Sequence, residues 1–463
     1  MKVLKFGGTS VGTIGSLRNV KRIVESIEEP AIVVVSALGG LTDRLIATAR
    51  MAAAGEGDIM AEIEAMEKRH SDIIESLVAT DRRDAVMASV GKYIAEMRDV
   101  YKGISLIRDL PEKTLDVIVS FGERMSSVIV ANILGDARHC DSLDFIKTEK
   151  WFNKNIADRT LTDDLIRKSF GSKLEHTMVC GGFISRDRDT GEITNLGRGG
   201  SDYTAALIAA ALDADLLEIW TDVDGFMTSD PRIIPEARVI PRMSFIESME
   251  LCSFGAKVIY PPTIYPVFHK NIPIKILNTN NPDAQGTLID DSVQEMEENV
   301  RGVSSLRQIS MVTVTGDITS NVAQINSRTF NAMARGGISV FLVSQPDCDS
   351  SFAVTMPESE MENAMTALRT EFAPELQSGD VLEIKSRSGL AVIAVVRESI
   401  RKIKGLGARL VNTLLRNGIE VMAVSDGTSE TTIALVVDIG DVNRAMELVH
   451  GACFSEQQNQ LLR

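Results

Sequence analysis

The sequence has 463 residues, enough for about three domains, and its hydrophobic share of 44% and charged share of 24% are ordinary for a globular protein. A net charge of −15 argues against nucleic acid or an anionic membrane as the main partner. The five cysteines show neither disulfide nor metal spacing, and no apolar run reaches membrane-spanning length. We therefore expect a cytoplasmic protein without a membrane segment.

The first predicted strand ends in a glycine turn that favours phosphate. Met1–Phe6 is a short, largely apolar strand that carries Lys5, and Gly7–Ser10 leads to a helix from about Ile14. A strand, a glycine turn and a helix start form a phosphate cradle, although no Walker A sequence follows. A lysine at the end of an apolar strand needs an anionic partner, so we favour this role over an exposed edge-strand lysine.

A second strand and loop follow the same pattern. Ala31–Val35 predicts a central parallel strand, and Ser36–Thr42 leads from it into a helix. Ligands of open α/β sheets collect at such strand ends, where Ser36 and Thr42 offer hydroxyls, although capping also explains Thr42. Residues 59–79 and 83–107 predict charged, solvated helices, and we assign no chemistry to them.

An acidic residue interrupts the next apolar helix. Asp116–Leu134 predicts a helix that is broken at Ser120–Arg124, and Glu123 lies there among apolar neighbours. A carboxylate in such a setting needs a partner, which could be a substrate ammonium or the adjacent Arg124.

The segment Thr194–Leu212 predicts a glycine loop that opens into a buried helix. Gly197–Gly200 allows a ligand to approach the backbone, and Ser201 or Asp202 could cap the helix. Arg198 lies among these glycines, where its guanidinium could bind a carboxylate or phosphate.

Further polar groups follow another strand. Leu216–Trp220 predicts that strand, and its continuation from Thr221 to Arg232 suits the ribose and phosphates of a nucleotide. Lys257, at a predicted helix end, is a second lysine that could reach phosphate. Turn chemistry and a helix C-terminal lysine are the plain alternatives.

The last third of the sequence repeats itself. The same offset separates Ile338 from Ile419 and Ser344 from Ser425, and each copy predicts the βαββ part of a ferredoxin-like sandwich. Two such units without catalytic groups suggest a small-molecule sensor or a dimerisation platform.

These groups together favour phosphoryl transfer. The first part of the chain has glycine and hydroxyl loops, two lysines and one guanidinium, but no nucleophile–base pair and no metal-ligand cluster. Positioning and charge neutralisation supply most of the catalysis in phosphoryl transfer. We expect no protein metal site, since a Mg²⁺ ion would be carried mainly by the nucleotide phosphates with Asp202 or Asp222 nearby through water.

Four motifs resemble the aspartate kinase family: Lys5–Ser10, Ser120–Arg124, Leu196–Tyr203 and Thr221–Gly225. The resemblance spans essentially the whole chain, because that family carries paired ACT domains after its kinase domain. It implies an α/β amino-acid-kinase sandwich with a mainly parallel central sheet, followed by two ferredoxin-like (βαββαβ) ACT domains. The implied domains are residues 1–292 for the kinase and residues 300–382 and 383–463 for the ACT units.

The resemblance implies ATP- and Mg²⁺-dependent phosphorylation of the L-aspartate side chain to 4-phospho-L-aspartate. This reaction begins lysine, threonine and methionine synthesis. By analogy with the family, the catalytic residues are Lys5, Arg198 and Asp202. The implied substrate site comprises Thr42, Glu123, Phe183, Arg198 and Ser201, and the implied nucleotide site comprises Lys5, Gly7, Gly8, Thr221, Asp222, Met227, Arg232 and Lys257.

The resemblance also implies feedback control. Val343 and Gln345 resemble the effector site of the threonine-responsive branch, which is fused to homoserine dehydrogenase, whereas lysine-responsive members tend to be acidic where Phe341 stands. Asp426 replaces glutamine in the second copy. We therefore expect threonine rather than lysine as the effector, and at least a homodimer through the ACT units.

Three other functions remain open on the sequence. Relatives that phosphorylate glutamate, acetylglutamate, carbamate or a nucleotide share the fold, but they usually lack this motif pair with tandem ACT units. A catalytically silent amino-acid sensor is a second alternative, against which the intact Lys5, Arg198 and Asp202 argue. A dinucleotide dehydrogenase is weaker, because Asp202 fills the last position of the Gly-x-Gly-x-x-Gly pattern and would repel a pyrophosphate.

Overall fold

The computed structural model describes residues 1–151, 154–171, 173–291, 300–316, 321–344, 351–426 and 430–454. These residues form two compact units. The first comprises Met1–Phe226, Val239–Phe245 and the described residues of 258–293, and the second comprises Met227–Arg238, Ile246–Lys257 and the described residues from 300 onward. Within the described ranges, no helix is both long and apolar enough to cross a lipid bilayer.

The first 291 residues alternate strands with helices. Their strands are β1 (Lys2–Phe6), β2 (Ile32–Val35), β3 (Ala137–His139), β4 (Lys147–Trp151), β5 (Lys154–Ala157), β6 (Thr177–Gly181), β7 (Ile184–Asp187), β8 (Ile193–Asn195), β9 (Leu216–Thr221), β10 (Arg242–Met243), β11 (Ile274–Asn278) and β12 (Thr287–Ile289). Their helices are α1 (Gly8–Val11), α2 (Ile14–Glu25), α3 (Leu41–Ala54), α4 (Ile59–Leu77), α5 (Thr80–Ile107), α6 (Glu112–Ile133), α7 (Arg159–Phe170), α8 (Gly200–Ala211), α9 (Phe245–Ser253) and α10 (Tyr265–Phe268).

An eight-stranded sheet forms the centre of the first unit, in the order β10-β12-β11-β9-β1-β2-β6-β3. All its strand pairs are parallel except β11 with β12. The four residues of β2 are fully buried, as expected for a strand covered on both faces. The mainly parallel sheet is thus confirmed. A smaller sheet has the order β5-β4-β7-β8, and its antiparallel β7–β8 pair immediately precedes the glycine loop.

Helix α6 differs from its prediction. The sequence suggested an interruption at Ser120–Arg124, but the structure has one continuous helix from Glu112 to Ile133. Gly122 explains the difference, because a Cβ built at this residue would lie 2.7 Å from the Cβ of Ala37. The glycine therefore permits close packing against the loop after β2 and does not break the helix.

The last third of the chain forms two ferredoxin-like units. Its strands are β13 (Gly302–Gly316), β14 (Leu342–Ser344), β15 (Ser351–Pro357), β16 (Val381–Val396), β17 (Ala423–Ser425) and β18 (Thr432–Asp438). Its helices are α11 (Val322–Arg335), α12 (Met361–Glu371), α13 (Ala373–Ser378), α14 (Leu406–Arg416) and α15 (Val442–Phe454). The six strands make one sheet in the order β14-β15-β13-β16-β18-β17.

Strands β13 and β16 are long because each belongs to both units. Residues 309–316 of β13 pair with the first half of β16, whereas residues 302–307 pair with its second half. Both strands change at the boundary, where Gln308 has φ 59° and Gly389 has φ 73°. Residues 302–307 thus add a fourth strand to the second ferredoxin-like unit. The domain boundaries at 292, 300 and 383 stay a prediction. We propose that residues 302–307 be assigned to the second ACT unit, with whose strand they pair.

Candidate active site

Five neighbouring parallel strands of the large sheet end at the same edge. Their order is β11-β9-β1-β2-β6, so the loops that follow them meet there. Such edges of open α/β sheets are the usual place for ligands. The loops begin at Thr279, Asp222, Gly7, Ser36 and Gly182.

Lys5 forms a buried ion pair at this edge. It lies on the central strand β1, and its Nζ is 2.5 Å from Oδ1 of Asp202 on α8. The two side chains are 11% and 12% exposed. Asp202 Oδ1 accepts no hydrogen bond of good geometry, so the contact is electrostatic. The structure therefore places the predicted cation inside the sheet edge, directly over Gly7, whose Cβ would lie 3.4 Å from Lys5 Nζ.

The glycine loop before α8 has the backbone that the sequence predicted. Gly197 and Gly199 have φ values of 72° and 71°, in the left-handed region that favours glycine. The predicted cap is wrong, however. The N-cap is Gly199, which has no side-chain cap, and Ser201 and Asp202 already lie in the first turn of the helix. The Asp202 carboxylate therefore does not cap the helix, and it pairs with Lys5 instead.

Glu123 lies beneath the loop after β2 and is 4% exposed. Its Oε1 accepts a hydrogen bond of 3.0 Å from the Ala37 amide, whereas its Oε2 is buried without a partner. Burial raises the pKa of Glu123 to about 8. The adjacent Arg124 is not its partner, since that guanidinium lies 3.7 Å from Glu96 Oε2 and stacks over Tyr93. The site thus contains one carboxyl oxygen that a cationic ligand could satisfy.

Phe183 and Ser201 lie where the loop after β6 packs against the start of α8. A Cβ at Gly182 would be 2.6 Å from the Cα of Ser201, so only glycine fits this contact. Phe183 has a left-handed φ of 65°, and its amide donates a 3.0 Å hydrogen bond to the Thr204 hydroxyl. Positive φ at a non-glycine residue is uncommon and is concentrated at functional sites.

Two predicted substrate groups are more exposed. Arg198 is exposed in the glycine loop, and among the described residues its guanidinium has no ion pair or hydrogen bond. Thr42 is half-buried in the first turn of α3, whose N-cap is Gly40. Capping therefore does not account for Thr42.

The start of the loop after β11 is hydrogen-bonded to the end of β9 and to α1. The Thr279 amide donates to the Thr221 carbonyl at 2.9 Å, and the Thr279 hydroxyl lies 2.7 Å from that of Ser10. Asp222 is exposed beside them. Thr279, in the polar run that follows β11, was not among the site residues predicted from the sequence. The signal was present, since this run directly follows a buried parallel strand.

Several predicted residues lie outside the first unit. Met227, Arg232 and Lys257 belong to the second unit, where Arg232 pairs with Asp230 at 2.7 Å and Lys257 is exposed. Val343 is 42% exposed on β14. Gln345 lies outside the described residues. The nucleotide and effector roles of these five residues stay predictions.

The described residues contain no group of three or more His, Cys, Asp or Glu side chains able to hold a metal ion. At the sheet edge, Asp202 is paired with Lys5 and Asp222 is exposed. Such a donor set fits a Mg²⁺ ion whose ligands come mainly from phosphates and water.

The amino acid kinase family model matches residues 1–278, and the ACT domain model matches residues 312–372 and 393–453. The chain is 32% identical over 475 residues to a bifunctional aspartokinase/homoserine dehydrogenase of Haemophilus influenzae, with 99% of this chain and 57% of that protein covered. It spans about half the length of such curated relatives.

Two solved structures of E. coli aspartokinase III resemble the chain. One is its complex with aspartate and ADP (R-state), with a TM-score of 0.83, and the other is its complex with lysine and aspartate (T-state), with a TM-score of 0.75. In both, sequence identity is 27%, and the match covers 98% of this chain and 100% of the other. The family match over the first 278 residues and the two ACT matches confirm the resemblance read from the motifs. The chain therefore belongs to the amino acid kinase family and carries two ACT-type units behind its kinase fold.

Proposed function

We propose that this chain is an aspartate kinase that transfers the γ-phosphoryl group of ATP to the side-chain carboxylate of L-aspartate. The buried Lys5–Asp202 pair at the sheet edge is the observation that carries this proposal. It puts a cation beside the glycine turn Gly7–Ser10, where a transferring phosphoryl group would be stabilised. The E. coli relative was solved with aspartate and ADP bound, which supports aspartate as the acceptor and ATP as the donor.

The proposed substrate site divides the charges of aspartate between two residues. The partnerless oxygen of Glu123 would accept the ammonium, and the exposed guanidinium of Arg198 would bind the α-carboxylate. Thr42, Phe183 and Ser201 would line the same pocket. The side-chain carboxylate is already ionised at pH 7, so the attack on phosphorus needs no general base.

The proposed nucleotide site uses the loops after β1 and β9. Gly7, Gly8 and Lys5 would contact phosphates, and Thr221 and Asp222 would lie near the nucleotide, with Met227, Arg232 and Lys257 as further proposed contacts. A bound Mg²⁺ ion would neutralise charge on the phosphates. Asp222 and Asp202 are the carboxylates that we propose would hold its water ligands.

A survey of acceptor substrates tests this function. The full chain with ATP and Mg²⁺ is assayed for ADP release and hydroxamate formation with aspartate, glutamate, acetylglutamate and carbamate, each alone. We expect turnover with aspartate only. Turnover with another acceptor, and none with aspartate, would show that aspartate is not the substrate. ATP binding without turnover of any acceptor would favour a catalytically silent sensor.

We expect the Arg198→Ala variant to bind aspartate less tightly. Loss of charge-assisted hydrogen bonds to the α-carboxylate should raise the KM for aspartate about 10- to 100-fold and leave kcat within about threefold. Steady-state ADP release at varied aspartate measures both constants. The control is Arg50→Ala, which removes another exposed arginine, on α3. Equal losses at saturating and limiting aspartate would contradict this role.

We further propose that the enzyme begins lysine, threonine and methionine synthesis in the cytoplasm, as at least a homodimer, and is inhibited by threonine at Val343 and Gln345. The alternative effector is lysine, which the T-state relative contains. Threonine, lysine and methionine are each titrated alone against aspartate-dependent ADP release. We expect inhibition by threonine, and about tenfold weaker inhibition in Gln345→Ala. Inhibition by lysine with no effect of threonine would overturn this assignment.

A further inference from the structure

Arg69 reaches the candidate active site from α4, a helix to which the sequence analysis assigned no chemistry. Its guanidinium is half-buried, and a single nitrogen, Nη2, donates two hydrogen bonds. One goes to the Gly12 carbonyl at 2.8 Å and the other to the Gly39 carbonyl at 2.9 Å. Gly12 lies in the connection from β1 to α2, which includes the single turn α1, and Gly39 lies in the connection from β2 to α3. We call these connections the loop after β1 and the loop after β2.

The two loops are in direct contact at the point where Arg69 bridges them. A Cβ at Gly39 would lie 2.9 Å from the Gly8 carbonyl oxygen, and a Cβ at Gly12 would lie 3.3 Å from the Gly39 amide nitrogen. Because these positions are glycines, backbone touches backbone here with no side chain between the two loops. At this point Arg69 supplies two hydrogen bonds, one to each loop.

Arg69 has no ion pair within the described residues. The charge that acts on it most is that of Arg44, another cation, whose own Nε lies 2.6 Å from Glu62. Partial burial of a guanidinium costs free energy unless its N–H groups donate hydrogen bonds, and without a carboxylate the available acceptors are carbonyls. The loop carbonyls are thus the groups that satisfy this cation, and the cation in turn fixes the loops.

Each bridged loop supports a different half of the proposed reaction. The loop after β1 contains Gly7 and Gly8, beside the ammonium of Lys5. The loop after β2 contains Ala37, whose amide holds the buried carboxyl of Glu123. A shift of one loop on the other would move the phosphate groups relative to the amino-acid groups.

We propose that Arg69 is a positioning residue that holds the nucleotide loop and the amino-acid loop in register. This inference rests on the proposed function for its kinetic consequence, but the bridging role concerns the free protein and can be measured without turnover. In this role Arg69 acts through the two backbone carbonyls.

Hydrogen exchange of the full chain tests the bridge directly. In Arg69→Ala, peptides covering residues 7–13 and 36–41 should exchange about tenfold faster than in the wild type. The matched control is Arg83→Ala, because Arg83 also donates to a carbonyl, that of Val78, at the far end of α4. Unchanged exchange in the two loops, or an equal rise in Arg83→Ala, would overturn the proposal.

Steady-state kinetics supply a second readout that a merely structural role would not move. In Arg69→Ala, kcat/KM for aspartate should fall about 100-fold, with the KM values for both ATP and aspartate raised. Simple loss of folded enzyme would lower kcat and leave both KM values unchanged. Arg69→Lys should recover part of the loss, because one ammonium can still donate to both carbonyls.

Failure of the proposed function would look different. A wild-type chain that binds ATP but releases no ADP in the presence of aspartate would refute the aspartate kinase assignment, and the exchange comparison would still decide the role of Arg69. A wild-type chain that turns over aspartate, with loop exchange unaffected in Arg69→Ala, would refute the bridge alone.

Discussion

The Lys5→Met variant is expected to lose about 10³-fold in kcat, measured as aspartate-dependent ADP release at saturating substrates. Lys5 is the cation beside the glycine turn, so its loss leaves the developing phosphoryl charge without its nearest positive side chain. The variant should also lose stability, because removal of one partner of the ion pair leaves a largely buried carboxylate at Asp202 and should cost about 3–5 kcal/mol.

A double variant separates these two effects. Lys5→Met combined with Asp202→Asn removes both charges, so urea unfolding should show most of the stability restored. Turnover should stay as low as in the single variant, because the catalytic cation is still missing. A kcat within about threefold of the wild type in Lys5→Met would contradict the role of Lys5. Recovery of turnover in the double variant would show that the single variant had failed only by unfolding.

The Glu123→Gln variant is expected to raise the KM for aspartate about 100-fold, since the amide cannot pair with an ammonium as a carboxylate does. The pKa of about 8 adds a pH signature. Below pH 8 the free enzyme holds Glu123 mainly protonated, and binding of an ammonium must release that proton. The affinity of the wild type for aspartate should therefore rise as pH increases from 6 toward 8, a slope that the variant should lack.

The same pKa predicts the pH dependence of stability. Between the ordinary glutamate pKa of about 4.5 and the folded value of about 8, the folded chain keeps a proton that the unfolded chain has lost. The contribution of Glu123 to stability is complete below this window and is lost as pH rises through it. Urea unfolding at pH 5, 7 and 9 should show Glu123→Gln gaining on the wild type with each step.

The matched control for both measurements is Glu112→Gln, an exposed glutamate on the same helix. It should change neither the KM for aspartate nor the pH dependence of stability. A Glu123→Gln variant with an unchanged KM would remove this residue from the proposed substrate site. A parallel pH profile for wild type and variant would mean that Glu123 is ionised in the free protein.

The sequence predicted the elements of the site well where local chemistry decides the structure. The apolar strands before Gly7 and Ser36 and the glycines around Arg198 have simple physical signals, and the structure has strands and left-handed glycines there. The need of Lys5 for an anionic partner also followed from its place in an apolar strand. Tertiary contacts decided what the sequence could not show.

Three features depended on contacts between distant residues. Gly122 looked like a helix break, because the sequence does not reveal that Ala37 packs against it. Asp202 looked like a cap, because its distance from Lys5 is set by the sheet and not by the local segment. Arg69 belonged to a charged helix, and only the fold brings its guanidinium to the carbonyls of Gly12 and Gly39.

The shared ladder of β13 and β16 has a consequence for how the carboxyl-terminal part could be cut. Arg307 pairs with Ala391 and Ile309 pairs with Leu390, so the chain enters and leaves the first ferredoxin-like unit at neighbouring points. In its connectivity that unit is an insertion between two paired residues, so we expect that a short turn joining residues 307 and 391 would replace it. A fragment starting at residue 383 would instead lack residues 302–307, which pair with the second half of β16. That edge of β16 would be exposed, and we expect such a fragment to self-associate.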